Sequence, residues 1–261
     1  MPEHILGVTK LVNWLLGKPV ALLLAALHIK AENPKYPIPN HIAMELVVFA
    51  LAVVFFLWLK GRLSVKRPGG AQLCMELVLT NPMRLGVRDL LDSNVQHGAE
   101  KYVPMLGSIG LFVLLCNLIS LVPELESPTA NVSVPFGCAI LVFLYYNWCG
   151  IRHHGPFKYG LEFVKMPIEV ISHSARLLSL TVRLWVNMMV SELLYGIFLG
   201  LLLELFLFLG KLNVIGYVSV ALPVAVPVVF IALHVFVGIL QAFVFTILPA
   251  IYVGGAVKEG H

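Results

Sequence analysis

Five polar side chains stand out in two strongly apolar stretches. Arg183, Asn187 and Glu192 share one apolar run, and His234 and Gln241 share the next. An arginine inside such a run costs at least about 2.5–3.5 kcal/mol at the middle of a bilayer. Its guanidinium does not escape by losing its proton, because its pKa stays above about 12. A permanent cation in the membrane therefore has to answer a need. At about 100° per residue, Arg176, Arg183 and Asn187 fall on one side of a helix. Glu192, nine residues beyond Arg183, lies about half a turn around the axis and faces a different environment. The acid that answers Arg183 must come from another helix or another chain. His234 and Gln241, seven residues apart, share a face.

Two long segments carry these residues. From Leu177 to Leu209 the chain is apolar except for Ser179, Thr181, Arg183, Asn187, Ser191, Glu192 and Glu204. At about 1.5 Å per residue this run is near 50 Å long, against a hydrocarbon core about 30 Å thick, so the helix must tilt strongly. After Gly210 and Lys211, the segment 212–257 holds no Asp, Glu, Lys or Arg. Pro223 and Pro227 are positioned to bend or break it.

Earlier crossings are expected at 42–59, 105–122 and 132–149. The first ends in Lys60, Arg62, Lys66 and Arg67, a strong cytoplasmic signal. Between Pro68 and Lys101 the chain is mixed, which fits short helices at the membrane surface. Residues 1–41 read as an interfacial helix, interrupted at Lys18-Pro19, followed by a proline-rich linker; a signal peptide is the less favoured alternative. The fold class is thus an all-α polytopic membrane protein with about five transmembrane crossings. Two of them are long, strongly tilted helices forming a hairpin, and residues 42–261 make one membrane domain. With the amino terminus outside, the inner segments hold twelve Lys and Arg and the outer ones five, so the positive-inside rule places the carboxyl terminus in the cytoplasm.

Composition agrees. Of 261 residues, 59% are hydrophobic and 12% charged, about half the charge of a soluble chain. A net charge of +4, with lysines and arginines scattered, gives no nucleic-acid surface. The four cysteines show no C-x-x-C spacing, and His153-His154 at a membrane border reads as a solvated loop. Phosphate-loop, zinc-protease, nucleophile-elbow and dinucleotide motifs are all missing, so neither a metal nor a cofactor is expected, and no covalent catalysis in this chain.

At LTVRLWVNMMVSELLYG and LHVFVGILQAFVFTILPAIYV the sequence resembles the a subunit of rotary F-type ATP synthases. The family pattern R-L-x-x-N-M-x-x-x-E-L is met by Arg183, Leu184, Asn187, Met188, Glu192 and Leu193. Its last helix is matched by His234 and by Gln241 to Phe245. The segment NLISLVPELESPTANVS looks like the family's loop between membrane helices. Val186 and Ser191 depart from the small residues that many members carry there.

The resemblance implies a stator subunit of a proton channel. Arg183 would face the carboxylate of a c-subunit ring, lower its proton affinity and block a direct leak. Asn187 would orient Arg183 or a water, and Gln241 would lie near Arg183 from the opposite helix. Glu192 and His234 would line an aqueous half-channel from the outside, and Glu169 one to the cytoplasm. Partners would be the c-subunit ring, a b-subunit stalk and the rest of the complex, in a bacterial plasma membrane. Two other classes are weighed. A self-contained transporter would often show internal repeats, and none is found. A passive assembly subunit would not need a mid-membrane Arg, Asn, Glu, His and Gln set.

Overall fold

The computed structural model describes residues 6–26, 28, 33, 35–64, 68–80, 86–95, 98–122, 125–155, 167–211 and 217–257. Within the last two ranges, the side chains of 167–170, 173, 199, 202, 205–206, 208–211 and 217–227 lie outside that description. The described chain is all helix: α1 Gly7–Ala26, α2 Asn40–Lys60, α3 Gly70–Leu79, α4 Val87–Asn94, α5 Val103–Leu118, α6 Ser133–His154, α7 Pro167–Lys211 and α8 Tyr217–Val257. Short 3₁₀ turns follow α4 (Ala99–Lys101), extend α5 (Ile119–Leu121) and precede α6 (Pro128–Ala130).

Six of these helices are long and apolar enough to cross a membrane, at 7–26, 40–60, 103–121, 133–154, 174–198 and 228–257. The polytopic all-α reading holds. Length and composition add α1 to the five segments expected from the sequence. The interruption expected at Lys18-Pro19 is corrected, and of the two outcomes left open at Pro223 and Pro227 the break does not occur. Helix α1 runs through Pro19, and α8 runs through Pro223 and Pro227. A proline removes only one helical hydrogen bond, and membrane helices tolerate that where neighbours re-satisfy the carbonyl. Helix α7 begins at Pro167, ahead of the apolar run, so Glu169 and Arg176 lie on the same helix as Arg183.

Helices α5, α6, α7 and α8 pack around one core, with α4 closing it beneath. Leu106, Val113, Tyr146, Leu184, Met188 and Val253 are fully covered there. Lipid tails are as apolar as leucine, so close backbone approach, rather than water exclusion, must hold these helices together. Glycines supply it. A Cβ on Gly110 would overlap Thr246, one on Gly238 would sit 3.3 Å from Asn117 Cβ, and one on Gly254 would collide with the Asn94 backbone. The surface helices are thus tied to the bundle at α4, where Arg88 also pairs with Asp92 and Glu100.

Helix α1 is held to the start of α2 by apolar packing of Val12 on Ile38 and Ala43 and by one polar side chain. Asn13 Nδ2 donates to the carbonyls of Thr9 and Ile38, each at 2.9 Å, and Asn13 Oδ1 accepts the Ile38 N–H at 3.0 Å. Because Asn13 satisfies a backbone amide and carbonyl at once, Asn13→Ala should release α1. The expected result is faster protease cleavage at the 27–39 connection in membranes with the rest of the bundle unchanged; an unaltered cleavage rate counts against this clamp.

Candidate functional site

Helix α7 turns two faces in two directions. Leu180, Leu184 and Met188, four residues apart, are buried in the bundle. On the opposite side Val182, Met189, Val190, Leu193 and Ile197 are exposed, and Arg183 is exposed among them. Among the described residues the ion pairs belong to Arg88, and Arg183 has no acid partner. Glu192 turns away from it, as the helical spacing predicts. Arg176, the other cation of α7 with a described side chain, lies over the Tyr252 ring of α8 at 5.1 Å.

On the inward side, α5, α7 and α8 converge on a polar cluster. Ser127 N–H donates to Glu192 Oε1 at 2.8 Å, a bond set by the turn before α6. His234 is 5% exposed. Its Nδ1 lies 2.7 Å from Ser191 Oγ, and its Nε2 lies 2.9 Å from Ser120 Oγ and 3.2 Å from the Asn117 carbonyl. Between Glu192 and His234 is a cavity of about 30 Å³, lined by Ser120, Leu121, Glu192, Tyr195, Ile231 and His234. Such a space, with a carboxylate, a hydroxyl and an imidazole on its wall, suits a water.

Asn117 braces the cluster from below and is fully buried. Its Nδ2 donates to the Gly238 carbonyl at 3.2 Å, and its Oδ1 accepts from Thr129 Oγ1 at 2.7 Å. Ser127 Oγ in turn lies 2.7 Å from Thr129 Oγ1 and donates to the Cys116 carbonyl at 2.9 Å. The small residue at 238 lets α8 come close enough for Asn117 to reach its backbone. A hydrogen-bonded chain thereby runs from Glu192 through the turn to α5 and α8.

Of the residues singled out by sequence, the structure brings Glu192 and His234 to one cavity. Arg183 lies on the outward face with Asn187, one turn on, half-buried. Gln241 shares the buried face of α8 with His234, 3% exposed, and makes no direct hydrogen bond to Arg183. Glu169 falls on the first turn of α7, and its side chain lies outside the described residues. Sequence reasoning missed the parts played by Asn117, Ser120, Ser127, Thr129 and Ser191. Asn117 offered the signal of an amide inside an apolar run, whereas the serines and Thr129 offered none that separates a bridging hydroxyl from one satisfied within its own helix. Among the described residues no group of three His, Cys, Asp or Glu is placed to hold a metal.

The family model for the ATP synthase A chain matches residues 42–254. Curated relatives agree. The chain is 34% identical to ATP synthase subunit a of Koribacter versatilis over 99% of both chains. It is 39% identical to ATP synthase subunit a of Solibacter usitatus over 86% of this chain and 90% of that one. A third, ATP synthase subunit a of Geotalea uraniireducens, is 34% identical over 83% and 86%. The chain belongs to the ATP synthase A chain family. Membership makes it a multi-pass membrane subunit of the Fo sector of an ATP synthase, serving ion transport and ATP synthesis. The resemblance drawn from Arg183 to Leu193 and from His234 to Phe245 therefore holds at the level of the family.

Proposed function

We propose that this chain is the stator half of the proton channel, with Arg183 working on a carboxylate delivered by a rotating c-subunit ring. The observation that carries the reading is Arg183 exposed on an outward apolar face, with no acid of the described chain beside it. A cation held there favours the charged form of an approaching carboxyl group and so drives its proton off. Because it never loses its own proton, it also bars protons from passing straight between the two access routes. Asn187 orients the guanidinium or a water beside it.

The half-channel from the outside runs through the Glu192–His234 cavity, with Gln241 further along the same face of α8. The cytoplasmic half-channel opens near Glu169. In this arrangement, with α1 lying at the interface and five helices crossing, the amino terminus lies outside and the carboxyl terminus in the cytoplasm of a bacterial plasma membrane, with a b-subunit stalk and the catalytic head as further partners.

In vesicles stripped of the catalytic head, Glu192→Gln and His234→Ala are each expected to slow passive proton conductance about tenfold or more, within the range of positioned proton-transfer groups. The complex should still assemble and co-purify with a small proteolipid carrying a buried acid. Conductance at the parent rate in both variants removes this cavity from the proton path.

A further inference from the structure

A neutral imidazole carries one ring proton and one lone pair, and its neighbours decide which nitrogen holds which. At His234 the deciding neighbour is the Asn117 carbonyl, which accepts and never donates. It stands 3.2 Å from Nε2 and also 3.2 Å from Ser120 Oγ, which lies 2.9 Å from Nε2. With the proton on Nε2, every contact is satisfied. Nε2–H donates to Ser120 Oγ, the Ser120 hydroxyl donates to the Asn117 carbonyl, and Ser191 O–H donates to Nδ1 at 2.7 Å. With the proton on Nδ1, the single hydrogen of Ser120 is spent on Nε2. The buried carbonyl then faces a ring lone pair, an arrangement that costs free energy.

The geometry points to Ser191 as a positioning residue for His234, holding Nδ1 as the atom that takes up and returns a proton. The inference rests on His234 belonging to the proton path. Ser191 also has a place in the helix that suits the task. Arg183, Asn187 and Ser191 are spaced by four on α7, so they form one polar row that drifts about 40° per step. Ser191 is where that row meets His234. In the step itself, the Ser191 Oγ–H bond breaks as its hydrogen moves to Nδ1. The oxygen is re-protonated by a hydronium ion arriving through the half-channel, which is left as water. The ring is then an imidazolium, with Nε2–H still held by Ser120 and Asn117, and the reverse step restores both groups.

The test uses membrane vesicles carrying the assembled complex, with ATP-driven acidification as the readout and co-purified ring as the check on assembly. Ser191→Ala is expected to slow pumping about tenfold. Ser191→Thr keeps a hydroxyl and should recover most of the rate. Ser120→Ala should be milder than Ser191→Ala, because the Asn117 carbonyl still holds Nε2–H. In a His234→Ala background, adding Ser191→Ala should cost nothing further. Parent-rate pumping in Ser191→Ala, a Thr variant as slow as the Ala variant, or a double variant slower than His234→Ala by the full single-variant factor overturns the assignment. Should Ser191→Ala not assemble, the Thr variant and the milder loss in Ser120→Ala still decide it. Parent-rate pumping in His234→Ala alone defeats the underlying proton-path reading instead.

Discussion

Arg183→Ala is expected to abolish ATP-driven proton pumping in inverted membrane vesicles, a loss of at least about a hundredfold, while the complex stays assembled. Assembly should survive because Arg183 packs outward and the buried side of α7, carried by Leu180, Leu184 and Met188, is untouched. Removing the charge also lifts its cost in the membrane, so the helix itself gains rather than loses. Function should not survive, because alanine offers a ring carboxyl group no reason to give up its proton. Arg183→Lys is expected to lose most pumping too, since a lysine in apolar surroundings can shed its proton and the guanidinium cannot. Full pumping in Arg183→Ala would dismiss the stator mechanism outright.

The second large effect should come from Asn117→Ala, and it should be structural. This side chain holds Thr129 of the turn and the Gly238 carbonyl of α8 at once. Truncation takes one hydrogen bond from each, leaving Thr129 Oγ1 beside Ser127 Oγ and the Gly238 carbonyl within its own helix, and opens a void where α5 and α8 pack. A buried hydrogen bond is worth about 0.5–1.5 kcal/mol net, and those between membrane helices average nearer 0.6 kcal/mol. Together with the void, a loss of about 2–4 kcal/mol is expected. It should register as a lower melting temperature of the purified complex and a smaller yield of assembled ring-bound subunit. Gly238→Val, which drives a side chain into Asn117 Cβ, should resemble it. A melting temperature equal to the parent's in Asn117→Ala would show that the brace is dispensable.

How much of this was legible beforehand follows from the cost of polarity in oil. Arg183, Glu192, His234 and Gln241 stood out because each is expensive in an apolar run and so needs a purpose. The half-turn between Arg183 and Glu192 follows from helical arithmetic, and the structure separates them accordingly. Serines and threonines carry no such signal. Thr181 donates to the Leu177 carbonyl and Ser108 to that of Pro104, each satisfied within its own helix. Nothing in spelling distinguishes them from Ser191 or Ser120, which reach across to His234. The partner of Glu192 is a backbone N–H, invisible to any residue-type pattern. Prolines misled in the opposite sense. Pro19 reads as an interruption, and Pro223 and Pro227 as bends or breaks, yet the helices continue through them. The apolar run from Leu177 marks the membrane part of α7 but not its full length, because Glu169 and Arg176 extend the 45-residue helix with polar first turns.

The outward face of α7 has a bearing on biogenesis. A polypeptide inserted on its own would turn a bare guanidinium toward acyl chains, a state that lipid can relieve only by thinning or by admitting water to the charge. In the arrangement proposed above, docking beside a finished ring would replace that distressed contact with a counter-charge. Synthesis of the two partners is therefore best coordinated, and cells that make this polypeptide without a ring should clear it by proteolysis.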